Sequence, residues 1–190
     1  MNFTKTVPFF FILLFFSNCF DNMTSGNLLL APKDWRSEII KFPLEFAPSL
    51  SYSGLEHIRF SPGWGKKDAE DHFSYVFLWE IDQDPKLTSK KLEAELETYF
   101  DGLTHATPKS EIDTKTKAFF EKVNDSLFVG KILTYDSFTT KKEVNLNVKV
   151  SSSYCYNENK HLVLFHLSPQ TLDHQIWKKM NTISIDLDCD

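Results

Sequence analysis

The stretch Ser61-Pro62-Gly63-Trp64-Gly65-Lys66-Lys67-Asp68-Ala69-Glu70-Asp71-His72 gathers the residue types that bind ligands or move protons. Gly63 and Gly65 would let backbone approach a ligand, and Trp64 between them offers a stacking face. Glu70 or Asp71 could tune the neighbouring His72 as a base. The same letters also make a solvated loop between two strands, with Trp64 folded back as a plug. Adjacent side chains of an extended chain point to opposite sides, so Glu70, Asp71 and His72 are not expected to converge on one proton. The candidate binding residues are therefore Trp64, Gly63, Gly65 and His72, and no residue is given a catalytic role.

The remaining chemistry-bearing residues are dispersed. His57, His72, His105, His161, His166 and His174 show neither HExxH nor any paired zinc-ligand spacing, and His161 and His166 have opposite parity in one strand pattern. No metal site and no cofactor are expected. GxSxG and SxxK are absent, and no phosphate-cradling glycine loop opens a helix pattern. The comb Asp186, Asp188, Asp190 lacks the turn glycine and terminal glutamate of a calcium loop, and reads as a solvated strand face. Trp35, Trp79 and Trp177 fall in phase with core patterns, which leaves Trp64 as the one ring available to stack on a sugar.

These residues sit in a chain of 190 residues with 42% hydrophobic and 25% charged positions, enough for one folded domain of ordinary size. A net charge of -5 argues against nucleic acid, because neutralising phosphates needs a basic face. Seven of the 18 phenylalanines fall within the first twenty residues. Lys5 followed by the uncharged run Val7 to Phe16 has the form of a secretory signal peptide, and is too short to span a bilayer. Residues 1–18 are read as that leader, 19–33 as a flexible tether in which Leu28 to Leu30 can dock, and 34–190 as a single domain.

Phe16-Ser17-Asn18-Cys19 resembles the lipobox of bacterial lipoproteins, with Ser17 small as in the family pattern, Asn18 where Gly, Ala or Ser is usual and Phe16 for the common Leu. The resemblance implies a mature chain that begins at a lipidated Cys19, palmitate-type acyl chains and attachment to the cell envelope membrane. Two or more acyl chains anchor stably, whereas one binds only marginally. The alternative is ordinary cleavage nearby and release as a secreted or periplasmic protein. In a eukaryotic host, Asn22 and Asn124 become glycosylation acceptors. With Cys19 lipidated, Cys155 and Cys189 remain as a pair in an oxidising compartment, where they form either a disulfide or two free thiols.

Strand patterns dominate the domain. Alternation predicts an edge strand through Ile40, Phe42, Leu44 and Phe46, demoted by Pro43, then a short strand at Ile58 and Phe60. Phe73 to Ile81 is apolar on both parities, as in a central strand covered on both faces. Lys117 to Val123 and Leu127 to Phe138 read as a hairpin around Asn124-Asp125-Ser126, with a bulge at Gly130. Val144 to Val150, Leu162 to Leu167 and Ile183 to Cys189 complete the strands. One helix follows from Leu92, Leu96, Phe100 and Leu103, capped by Thr88 or Ser89. A second opens at Ser168 and Pro169 with the stripe Leu172, Ile176, Met180. Hairpin-length connections from 117 to 167 require antiparallel pairing. The predicted class is α+β: a mostly antiparallel sheet of six to seven strands with two main helices on it. That element order, over about 40 to 185, resembles the PsbP-like α+β proteins, and the resemblance implies an accessory or binding role.

The leading expectation is an exported, lipid-anchored envelope protein with a non-enzymatic binding role, its partners the membrane and an unidentified envelope protein or glycan. Two alternatives belong to other classes: a small secreted hydrolase using Glu70, Asp71 or His72, and a polysaccharide-binding module using Trp64.

Overall fold

A computed structural model describes residues 26–106 and 114–189. The leader, Cys19 and Asn22 lie outside the described residues. The elements in chain order are β1 (Leu29–Leu30), β2 (Arg36–Lys41), β3 (Gly54–Phe60), β4 (Tyr75–Ile81), α1 (Ser89–His105), β5 (Lys117–Lys122), β6 (Leu127–Tyr135), β7 (Glu143–Cys155), β8 (Lys160–Ser168), α2 (Gln175–Met180) and β9 (Ser184–Ile185). Seven strands make one sheet in the order β2-β3-β4-β8-β7-β6-β5, every pair antiparallel, and β1 with β9 forms a separate two-stranded sheet. Two meanders, β2 to β4 and β5 to β8, thus meet where β4 pairs with β8. The molecule is mostly β, an antiparallel sheet with two helices, and strands well outnumber helices.

The double-apolar pattern of β4 has its explanation in this order. Tyr75, Phe77 and Trp79 enter the larger core with α1, while Val76 and Leu78 enter a smaller core with α2 on the opposite face. Within the larger core, Leu92, Leu96, Tyr99 and Phe100 are the buried stripe of α1, which Thr88 caps by accepting from the Lys91 N–H at 3.2 Å. The same helix closes a sheet edge. Glu93, Glu97 and Asp101 accept from the backbone N–H groups of Phe120, Ala118 and Thr116 at 2.9, 3.2 and 2.7 Å. Four helical residues rise about 6 Å and two strand residues about 6.6 Å, so carboxylates at i, i+4, i+8 match alternate donors of β5. These bonds occupy N–H groups that an open edge would offer to another chain.

On the opposite face the N-terminal segment is stitched down. Leu29 is fully buried, and the Asn27 side chain donates to Ser37 Oγ, Glu38 O and Ile58 O at 2.9, 3.0 and 3.1 Å. Arg59 Nε donates to Leu29 O at 2.8 Å, and the Leu28 N–H donates to His57 Nδ1 at 3.3 Å. Because Nδ1 accepts, Nε2 of His57 carries the proton that it shares with Glu80 at 3.1 Å. Cys155 and Cys189 form a disulfide with Cα atoms 4.4 Å apart, which ties the C-terminal segment to the end of β7. The cross-link spans 34 positions and lies over the smaller core.

Four expected elements differ. The first strand is Arg36–Lys41 and ends before Pro43, so Phe42 and Leu44 are buried from a loop rather than from a strand. Gly130 makes no bulge: its register with Phe120 and Val148 is continuous. A Cβ there would stand 2.3 Å from Phe119 O and 2.5 Å from the Phe120 ring, so the glycine makes room for its neighbour. The second helix starts at Gln175 because His174, not Ser168, caps it, accepting from the Ile176 N–H at 3.2 Å. Ser168 ends β8 and its hydroxyl accepts from Gln170 N–H, which leaves Leu172 exposed off the stripe. The last strand is reduced to Ser184–Ile185, since β1 offers only two residues to pair with.

Candidate functional site

Cross-strand register builds the floor of a cavity on the α1 face. Arg36, Phe60 and Tyr75 form one row across β2, β3 and β4, Glu38, Ile58 and Phe77 the next, and Ile40, Glu56 and Trp79 the third. Successive rows share a face because strand side chains alternate with period two. Tyr99 and Leu103, one helical turn apart on α1, join Phe46 in lining the cavity opposite this floor, and Trp64, Phe73 and Phe138 line it as well. The enclosed space is about 320 Å³. Its exposed lining residues, Arg36, Glu38 and Phe138, mark the mouth.

The rings hold one another in place. Trp64 stacks on Phe73 at 5.6 Å with planes 21° apart, and meets Phe60 at 4.9 Å and Phe138 at 5.4 Å in inclined contacts. The Arg36 guanidinium lies 4.2 Å over the Phe60 ring and 5.5 Å from that of Trp64, both within cation–π range. Neither Arg36 nor Glu38 belongs to an ion pair among the described residues. Trp64 Nε1 is buried and has no hydrogen-bond partner. An unmet buried donor costs about 1–3 kcal/mol.

Deeper in the same layer, Glu56 is fully buried. Its Oε1 accepts from Trp79 Nε1 at 3.0 Å, and Oε2 has no partner. Burial pushes its carboxyl up to about 8, against the lowering effect of the Trp79 N–H and the neighbouring Tyr99 hydroxyl, so the group is largely neutral at pH 7. Tyr75 and Tyr99, which line the cavity, are held well above the usual phenol range by burial first and by the Glu56 carboxylate second.

Of the residues singled out in the 61–72 loop, Trp64 lines the cavity, Gly65 faces open space, and Gly63, Glu70, Asp71 and His72 are engaged elsewhere. Asp71 accepts from the Gly63 N–H at 2.9 Å, and a Cβ on Gly63 would fall 1.9 Å from the Asp71 carboxylate, so this glycine serves the loop itself. Glu70 accepts from Gln175 Nε2 at 2.9 Å. His72 Nε2 lies 3.4 Å from Asp136, a residue 64 positions away. Burial alone would raise the Asp136 carboxyl, but the N–H and hydroxyl of Thr140 and the N–H groups of Thr139 and Phe138 hold it below the usual range. That network fixes the turn that delivers Phe138 to the cavity. Arg36, Glu38, Phe46, Tyr99 and Phe138 escaped the sequence reading. Only the shared parity of Arg36, Glu38 and Ile40 hinted that two charges and an apolar residue occupy one strand face.

A larger groove of about 700 Å³ lies between the N-terminal segment, the 61–72 loop and α2, and is rimmed by Asp34, Glu70, Lys178 and Lys179. Its walls are more open and more polar than those of the aromatic cavity, which is the better candidate for an apolar ligand. Among the described residues no group of three His, Cys, Asp or Glu could hold a metal ion, and no helix is long and apolar enough to cross a membrane. No protein-family model, curated protein or solved structure matches the chain.

Proposed function

We propose that the protein is exported, held at the cell envelope by lipid on Cys19, and binds a small, largely apolar ligand in the α1-face cavity without transforming it. The observation that carries this reading is the ring-walled space of about 320 Å³ between sheet and helix, with charged side chains confined to its mouth. Cavities of roughly 300 Å³ and above, mostly apolar with a few placed polar groups, are the usual form of small-molecule sites. The separate partners of Glu70, Asp71 and His72 favour binding over hydrolysis. Export is supported by the apolar run Val7 to Phe16 and by the Cys155–Cys189 disulfide, a bond that persists in oxidising compartments. An accessory role of the PsbP-like kind belongs to the same proposal, supported by an antiparallel sheet with helices over both faces.

The test is titration of the purified protein with N-phenyl-1-naphthylamine, a neutral probe that fluoresces in apolar surroundings. The wild type is expected to take up about one equivalent. Leu103→Trp, which fills the cavity from α1, is expected to abolish uptake while leaving the circular dichroism unchanged. Equal uptake by a folded Leu103→Trp variant would place binding elsewhere. For the anchor, Cys19→Ser is expected to move the protein from the membrane fraction to the soluble one, and unchanged fractionation defeats lipidation.

A further inference from the structure

The charges at the mouth of the cavity narrow the ligand class, on the reading that the cavity is a binding site. Arg36 and Glu38 stand two residues apart on the same face of β2, about 6.7 Å from Cα to Cα, and both line the mouth. Each is exposed and neither is paired, although they carry opposite charge. A purely apolar ligand would leave both unused, a simple acid would face Glu38, and a simple amine would face Arg36. A ligand with its own anion and cation on neighbouring atoms satisfies both at once.

We infer that the cavity takes a zwitterionic aromatic amino acid, its carboxylate toward Arg36, its ammonium toward Glu38 and its ring among Phe60, Trp64, Phe73 and Tyr75. A carboxylate offers two acceptor oxygens, and the Arg36 guanidinium at the mouth, with its fork of N–H donors, can meet both. The size agrees. An apolar cavity of about 150 Å³ admits one benzene ring, so about 320 Å³ admits a two-ring side chain with its backbone atoms near the mouth. The walls suit the ring as well, since offset and edge-on contacts with Phe60, Trp64 and Phe73 continue the packing that these side chains already make with one another.

Calorimetry with three probes separates the parts: L-tryptophan, indole-3-propionate, which lacks the amine, and tryptamine, which lacks the carboxylate. The wild type is expected to bind L-tryptophan about tenfold more tightly than either analogue, the range a charge-assisted hydrogen bond supplies. Arg36→Gln is expected to weaken L-tryptophan and indole-3-propionate by about tenfold and spare tryptamine. Glu38→Gln is expected to weaken L-tryptophan and tryptamine and spare indole-3-propionate. Equal affinities for the three probes, or variants that weaken all of them alike, overturn the zwitterion assignment. If the neutral naphthylamine still binds in that case, the cavity remains a ligand site of another class. If the naphthylamine fails too, the binding reading itself falls.

Discussion

The two faces of the sheet are closed in different ways. On the α2 face the core of Leu29, Val76, Leu78, Ile176, Trp177 and Met180 is sealed by a disulfide and by side chains that bond the N-terminal backbone directly. On the α1 face the rings of Phe60, Trp64, Phe73, Tyr75 and Tyr99 pack against one another yet leave about 320 Å³ between sheet and helix, with the Arg36 guanidinium at the mouth stacked on Phe60 and in no ion pair among the described residues. One face is built for persistence, whereas the other keeps a space open beneath a charged mouth. Interiors are normally close-packed, so an apolar space of this size points to a ligand rather than to careless packing.

The division also runs through the buried titratable groups. Glu56, on the cavity face, keeps its proton to about pH 8, while His166, facing α2, stays neutral because burial lowers it to about 4. The contributions to stability have opposite sign. An unfolded glutamate releases its proton near 4.5, so stability from Glu56 is present below that pH and lost as pH rises toward 8. An unfolded histidine takes up a proton near 6.5, so stability from His166 is present above that pH and lost as pH falls toward 4.

The largest expected effect breaks the sealed face alone. Replacing both Cys155 and Cys189 with Ser is expected to cost about 4 kcal/mol in urea unfolding, from the loop entropy that the cross-link removes. Naphthylamine uptake by the folded fraction should not change. A loss of both would show that the two faces are coupled and remove the contrast drawn here. A smaller effect sharpens the contrast from the cavity side. Between pH 6.5 and 8 only Glu56 of this pair changes charge unequally in the folded and unfolded states, so stability should fall by about 1.4 kcal/mol per unit. Glu56→Gln should flatten that limb. An identical slope in the variant would mean that the carboxyl is already ionised in the folded protein.

Legibility from sequence followed the range of the interaction. Parity showed β4 as a strand covered on both faces, because Phe77 and Leu78 are both fully buried by different layers. The α1 stripe was equally plain, being contacts three or four residues apart, and of the two cap residues that the sequence offered, Thr88 and Ser89, the structure uses Thr88. What pattern could not show depends on tertiary partners. The strand predicted through Phe46 stops at Lys41, and the helix expected from Ser168 waits for His174, since loop residues such as Phe42 and Leu44 can be as deeply buried as strand residues. Trp64 was visible as an aromatic between glycines, but its neighbours come from residues 36 to 138, and no local period links Arg36 to Phe138. Similarly, His72 was weighed against Glu70 and Asp71, whereas its carboxylate partner arrives from the β6–β7 turn as Asp136.

The most direct reading of the central claim is the indole N–H region of a proton–nitrogen correlation spectrum during titration with N-phenyl-1-naphthylamine. Trp79 Nε1 is already bonded to Glu56 and Trp177 Nε1 to Gln170 O, whereas Trp64 Nε1 is not bonded. The Trp64 signal is predicted to shift saturably and to be the most perturbed of the four tryptophans. A Trp64 signal that stays still while the probe binds would contradict the assignment of this cavity as the ligand site.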